Sequence, residues 1–225
     1  MVVQLSYEQL SALRRIDSPT ISNAIETFKL RPRVAGYVGY DIHCLFPELP
    51  PVVGYAVTCT VDSTTEGRQG ISFQRLYDLL ATAPKPAIVV MQDVGTDRLH
   101  SCHAGEIMST QMKQLGAIGI LTDGGLRDVK EVRALGGFHY FCAGLVVSHG
   151  NPICVSVGEE VTISGMRVAM GDLLHGDVNG ILTIPAECAT QVADAAYHIW
   201  ADEGETLQRI SGSKSDSFTG PELKH

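Results

Sequence analysis

The sequence predicts an α/β domain built on parallel strands, and three adjoining stretches carry that prediction. Ala87–Asp93 (AIVVMQD) is a continuous apolar run of strand length, the pattern of a strand buried on both faces. Residues 105–115 (GEIMSTQMKQL) have helical character and no proline. Residues 116–122 (GAIGILT) read as a second short buried strand. At ~1.5 Å per residue the helix spans roughly 16 Å. At ~3.3 Å per residue the second strand returns roughly 20 Å. The lengths match, so the unit reads as a right-handed crossover between two parallel strands. Ligands in such sheets bind beyond the carboxyl ends of the strands.

The remaining elements follow in order. Residues 7–28 read as two helices broken at Asp17-Ser18-Pro19-Thr20, with Pro19 suited to a first helical turn. Arg31 to Pro51 is loop-rich. Val52–Asp62 (VVGYAVTCTVD) alternates like a strand, and Phe73–Thr82 reads as a helix. After the crossover, Val129–Leu135 is a short helix and Phe138–Val147 a strand. Residues 153–184 hold three strand-like runs: ICVSV, VTISGMRVAM and NGILTIP. Between the last two, Gly171–Gly180 is rich in turn formers, and Asp172 and Asp177 suit turns. Ala186–Ala201 is an amphipathic helix with Val192, Ala196, Ile199 and Trp200 on one face. The expected division is a domain over 1–210 and a polar, Gly/Ser-rich, disordered tail over 211–225.

Composition narrows the function classes. The chain has 225 residues, 44% of them hydrophobic, which suits a soluble globular protein. No apolar run approaches the ~20 residues needed to span a bilayer. The N-terminus lacks a basic segment followed by an apolar core, so no secretory signal is expected. Cys44, Cys59, Cys102, Cys142, Cys154 and Cys188 form no CxxC and read as reduced, mostly buried thiols of a cytoplasmic protein. The net charge of -8, without a basic cluster, argues against nucleic acid as a partner.

The chemistry concentrates at the ends of the crossover. Glu106 opens its helix, and Arg127 and Asp128 follow its second strand. All three therefore fall at the ligand-binding edge, where free N–H groups at the helix start also favour an anion. Gly124-Gly125 lets backbone approach a ligand closely. Arg suits a carboxylate through its two-pronged donor set, and Asp suits a hard divalent ion. Each residue also has a plainer reading. Asp128 is placed to cap the helix starting at Val129. Glu106 is placed to complement a helix dipole, and Arg127 to form a surface ion pair. His100 and His103 have a metal-like spacing but no matching second pair, so loop or structural roles are favoured. No GxSxG, Walker loop, HExxH or GxGxxG occurs.

The acid-x20-Arg-Asp pattern of Glu106, Arg127 and Asp128 resembles that of the RraA-like family, which includes class II aldolases acting on 4-hydroxy-4-methyl-2-oxoglutarate and 4-carboxy-4-hydroxy-2-oxoadipate. Flanking matches are Ala104-Gly105-Glu106-Ile107-Met108, Gly-Asp-Leu-Leu at 171–174 and Asp177-Val178-Asn179-Gly180. The similarity covers roughly residues 15 to 205. It implies an α/β/β sandwich resembling a phosphohistidine swivelling domain, assembled as a homotrimer or homohexamer with active sites between subunits. It implies Mg²⁺ or Mn²⁺ on Asp128, with Arg127 binding the pyruvate moiety and stabilising the enolate. The Gly105–Met108 loop would hold the pyruvate carboxylate through backbone amides, and Glu106 would orient water on the metal. The implied activity is cleavage of a small 2-oxo acid to pyruvate, as an aldolase, an oxaloacetate decarboxylase or both. The Glu106 position is often Asp in the family. The family's aldolases also take an acid from a neighbouring subunit's C-terminal region, for which Asp202, Glu203 and Glu205 are candidates. Alternatives are a non-catalytic regulatory binding protein, which has no need of Asp128, or a lyase for another oxo or sugar acid. The stretch Gly36–Pro51 reads either as a pocket-shaping insert or as a contact loop.

Overall fold

The protein is described by a computed structural model over residues 3–212. In chain order its elements are α1 (Tyr7–Leu13), α2 (Ser18–Thr27), β1 (His43–Cys44), β2 (Val52–Asp62), α3 (Gln74–Thr82), β3 (Ala87–Asp93), α4 (Glu106–Gln114), β4 (Ala117–Thr122), β5 (Gly125–Leu126), α5 (Val129–Ala134), β6 (His139–Cys142), β7 (Gly144–Leu145), β8 (Ile153–Val157), β9 (Val161–Ile163), β10 (Met166–Val168), β11 (Leu173–Asp177), β12 (Gly180–Ile184) and α6 (Val192–Gly212).

The fold is mixed α/β. The main sheet runs β1-β6-β4-β3-β2-β11-β12, with β8 paired to the second half of β2. Strands β2, β3, β4 and β6 are mutually parallel, and α3, α4 and α5 make the three crossovers between them. The anticipated crossover is the middle one, with Val89 opposite Ile120. Both faces of these strands are buried, which is why they read as unbroken apolar runs. Ala87, Val89 and Met91 face Leu76, Leu80, Met112 and Val132 of the three crossover helices. Ile88 and Val90 alternate to the other face, against Val161, Ile163, Met166 and Val168 of the β9–β10 hairpin. Helices α1, α2 and α6 cover the start of β2 together with β11 and β12.

The N-terminal helices are set by local signals. Ser6 and Gln9 form a reciprocal capping box on α1. Asp17 caps α2, accepting from the Thr20 N–H at 2.9 Å and the Thr20 hydroxyl at 2.8 Å. Burial opposes ionisation of Asp17, but the bonds from Thr20 outweigh it and lower its pKa.

Several expectations are corrected. The Gly171–Gly180 run is not all turn: β11 occupies Leu173–Asp177 between β2 and β12. Its polar residues are tolerated because they are paired. The His175 Nε2–H donates to the Leu13 carbonyl at 3.1 Å, so Nδ1 accepts the Ser18 hydroxyl at 2.9 Å. Asp172 and Asp177 do hold turns, through Ala169 N–H and Asn179 N–H respectively. The 138–147 strand breaks at Ala143, where the chain leaves β6 and β7 pairs β5 instead. VTISGMRVAM is two strands turning at Ser164-Gly165, both at positive φ. Helix α6 starts at Val192, later than Ala186, and runs to Gly212. Residues 213–225, which hold most of the expected tail, lie outside the described residues.

The 36–51 stretch is built into the core. Val38 and Ile42 join the hairpin-side cluster, and Phe46 is fully buried and stacks on Tyr140 at 5.6 Å. β1 adds an antiparallel edge to β6.

Candidate functional site

Past the carboxyl end of β3, the chain turns through a 3-10 segment at Arg98–His100 and lays residues 101–104 alongside 125–127. Gly125 N–H donates to Ser101 O at 3.2 Å, His103 N–H to Gly125 O at 3.0 Å, and Arg127 N–H to Ala104 O at 3.2 Å. This ladder brings the start of α4 against the Arg127-Asp128 pair, although the two are far apart in sequence.

Asp128 sits in the left-handed region at φ 58, ψ 42. That conformation is costly for a residue with a Cβ. Its side chain makes no cap on α5. It crosses instead to α4, where Oδ2 accepts the Glu106 N–H at 2.9 Å. The plain capping reading of Asp128 is therefore replaced: the carboxylate caps the helix 22 residues earlier. Arg127 Nε lies 3.5 Å from the same oxygen, and both side chains are about one third exposed. Oδ1 has no hydrogen bond or ion pair among the described residues. Gly105 makes the approach possible. A Cβ there would stand 2.2 Å from Asp128 Oδ2 and 3.1 Å from Arg127 Nε.

Gly105, Glu106, Ile107, Met108, Arg127 and Asp128 line one cavity of about 480 Å³. Cys102, His103, Glu131, His149 and Pro152 complete much of its wall. Of these five only His103 is weighed in the sequence, as half of a metal-like pair with His100, and a loop or structural role is favoured for it. Glu131 carried a signal of its own, since three residues after Asp128 it falls on the same side of α5. No residue of the 36–51 stretch lines the cavity, nor do Asp202, Glu203 and Glu205, which are exposed on α6. A second, shallower hollow shares Arg127 and Asp128 and is walled by Val129, Leu145, Val146 and Val147.

Beside the cavity, three carboxylates close the strand ends. Asp62 is buried; desolvation works against its charge, but Thr64, Thr65 and Arg68 more than compensate and hold its pKa well down. Asp93 is likewise lowered, against burial, by bonds that include His103. Burial raises Asp123, which accepts the Asp93 N–H at 2.7 Å. His100 and His103 are not brought together: exposed His100 pairs with Asp97, and buried His103 pairs with Asp93. Among the described residues no three His, Cys, Asp or Glu converge as a metal cage. All six cysteines are free, five of them buried. No helix among the described residues is long and apolar enough to cross a membrane.

A family model described as "RraA-like: Aldolase/RraA" matches residues 18–183, a span holding every element from α2 to β11 and all but the last residue of β12. The chain belongs to the RraA-like family. A Halalkalibacterium halodurans relative, provisionally named 4-hydroxy-4-methyl-2-oxoglutarate aldolase, is 28% identical over 127 residues, 56% of this chain and 60% of that protein. An uncharacterised Methanocaldococcus jannaschii protein is 28% identical over 127 residues, 56% of this chain and 61% of its own length. Protein DlpA of Legionella pneumophila is 23% identical over 68% of this chain and only 25% of its own length. The matches thus span about three fifths or less of these relatives. Among solved structures, an uncharacterised Pseudomonas syringae protein aligns with TM-score 0.74 at 20% identity, covering 95% of this chain and 93% of that one. RraAS2 of Streptomyces coelicolor aligns with TM-score 0.69 at 21% identity, over 92% and 98% of the two chains. At these identities the structural likeness speaks for the RraA fold.

Proposed function

We propose that the cavity beside Asp128 is the active centre of a divalent-metal-dependent lyase that cleaves a 2-oxo acid to pyruvate. One observation carries the reading. The Asp128 carboxylate is held in a left-handed backbone conformation on the first N–H of α4, against Arg127, with Gly105 leaving it room and Oδ1 left over. Backbone strain of this kind persists where the surroundings impose it, and it concentrates at functional sites. The named aldolase relative supports a lyase.

The donor set suits Mg²⁺ or Mn²⁺. Such ions keep several waters and need only one or two protein carboxylates. Asp128 would be the ligand. Bound there, the ion would act as a Lewis acid toward the 2-oxo acid. The chain's own groups then divide the work. Arg127 presents a planar guanidinium to the carboxylate and to the oxygen that becomes an enolate when the carbon–carbon bond breaks. With the Glu106 N–H held by Asp128, the amides of Gly105, Ile107 and Met108 would be the ones to meet the substrate carboxylate. Glu106, exposed at the cavity edge, orients the water that carries the proton.

The cavity mouth also fits a subunit contact. Ile107 is 77% exposed, Leu145 54% and Val147 98%. Exposed apolar side chains on the cavity wall and on the adjoining hollow suit burial by a second copy, which would make the site interfacial. Titration of the metal-free protein with Mn²⁺, followed by melting temperature, tests the reading. A ligand bound only by the folded state must stabilise it. The wild type should gain stability and Asp128→Asn should not. Equal shifts in both would remove the metal from this site, and no shift in either would favour a non-catalytic binding protein.

A further inference from the structure

The buried Asp93–His103 pair is used by nothing above. It sits at the end of β3, and His103 forms part of the cavity wall. His103 Nε2 lies 2.9 Å from Asp93 Oδ2, and both side chains are 1% exposed. Since the carboxylate can only accept, the ring donates from Nε2. Asp93 is itself immobilised. Its other oxygen accepts the Gly95 N–H at 2.6 Å, and its own N–H donates to Asp123 Oδ1 at 2.7 Å. The ring is thus anchored to the sheet through a charge-assisted bond, the stronger class of hydrogen bond.

His103 also carries the middle rung of the ladder that joins 101–104 to 125–127, through its N–H to Gly125 O. The fit around it is tight: a Cβ on Gly124 would stand 2.3 Å from His103 Nε2 and 2.7 Å from Ser101 Oγ. Gly124 is therefore required for the ring to sit where it does. Three residues after His103 comes Glu106, whose N–H holds Asp128.

We propose that His103, fixed by Asp93, is a positioning residue: it sets the register between the two chain segments and so keeps the α4 N-terminus against the Asp128 carboxylate. Calling those segments the two halves of one site rests on the lyase reading. The placement itself does not, and its test needs neither metal nor substrate.

The test is amide hydrogen exchange, read residue by residue by NMR on the metal-free protein. His103→Leu removes the donor at similar bulk. His103→Gln keeps an N–H donor near the Nε2 position. His175→Leu breaks a comparable buried histidine pair far from the cavity, under α2. In His103→Leu the Glu106 N–H should exchange faster by about tenfold or more, as expected for loss of one charge-assisted bond. The Ile21 N–H, bonded to Asp17 O at 3.1 Å, should stay as in the wild type. His103→Gln should restore protection at Glu106. His175→Leu should lower the melting temperature while leaving Glu106 protected. Should His103→Leu fail to fold, Asp93→Asn, which keeps the shape and removes the charge, should show the same local effect at smaller size. Wild-type exchange at Glu106 in the variant used, equal acceleration in His175→Leu, or no restoration by glutamine would each overturn the proposal. If Mn²⁺ fails to bind while these exchange results hold, the lyase reading falls and the positioning role stands.

Discussion

At the scale of single residues, the site depends on how close two segments can come. Gly105 has φ -139, which any residue adopts, so its importance is contact and not conformation. Gly105→Ala would place a methyl 2.2 Å from Asp128 Oδ2 and push the carboxylate off the Glu106 N–H. A displacement of about 1 Å at reacting groups costs about a hundredfold. Pyruvate formation by Gly105→Ala should fall by that order with little loss of thermal stability, as steady-state rates and melting curves would show. Wild-type rates would mean that the carboxylate position is unimportant. The trio Glu106, Arg127 and Asp128 was legible because an ordinary crossover returns its ends to one edge. The left-handed Asp128 was not, because sequence alone favours the local cap that its position offers. Nor was the Asp93–His103 pair, whose partners belong to a strand end and a loop without periodic pattern.

At the scale of elements, polar groups in the sheet make stability depend on pH. His139 on β6 is buried, stacks on Phe141 at 5.8 Å, and has an unpartnered Nδ1. Burial, aided by nearby Arg14 and opposed by Glu48, pushes its pKa down to about 4. Unfolded, it would titrate near ~6.5. Between those values the unfolded chain binds more protons, so stability is full above pH ~6.5 and is lost progressively as pH falls toward 4. The contribution is of order 3 kcal/mol. His175 is shifted the same way by burial. In denaturant titrations from pH 7 to 4, His139→Leu should flatten the slope and leave stability at pH 7 within about 1 kcal/mol, because it removes an unsatisfied polar atom. An unchanged slope would mean the ring is already solvated.

The caps act locally. Asp17→Ala removes the bonds to Thr20 and a 3.3 Å contact from Trp200 Nε1. It should cost about 1–2 kcal/mol in urea unfolding at neutral pH. A cost near zero would show that Pro19 and packing suffice to start α2. The parallel strands and their helices were readable because burial on both faces leaves unbroken apolar runs. β11 was hidden because Gly, Asp and His mimic turn composition, and only the tertiary partners at Leu13 and Ser18 make them acceptable inside a sheet. The start of α6 at Val192 was missed because Ala186–Gln191 continues the apolar pattern as turns, not helix.

At the scale of the molecule, three parallel crossovers supply a rigid edge, and the loops beyond it carry the chemistry. The 36–51 stretch ties that edge down through Phe46 and Tyr140, whose hydroxyl meets Ser109 of α4 at 2.7 Å. Ile107 is exposed on the cavity wall and Leu145 and Val147 on the adjoining hollow, and a homo-oligomer would cover them. Sedimentation velocity should show a trimer or hexamer, and Val147→Asp should shift it toward monomer. A monomeric wild type would remove the neighbouring subunit from the site.

The most direct measurement is a coupled assay of pyruvate release from oxaloacetate and from 4-hydroxy-4-methyl-2-oxoglutarate, with Mg²⁺, Mn²⁺ or EDTA, for the wild type and Asp128→Ala. Pyruvate formed by the wild type with metal, and abolished both by EDTA and by the substitution, is the expected result. Pyruvate release that survives both EDTA and loss of Asp128 would contradict a metal-dependent lyase centred on that carboxylate.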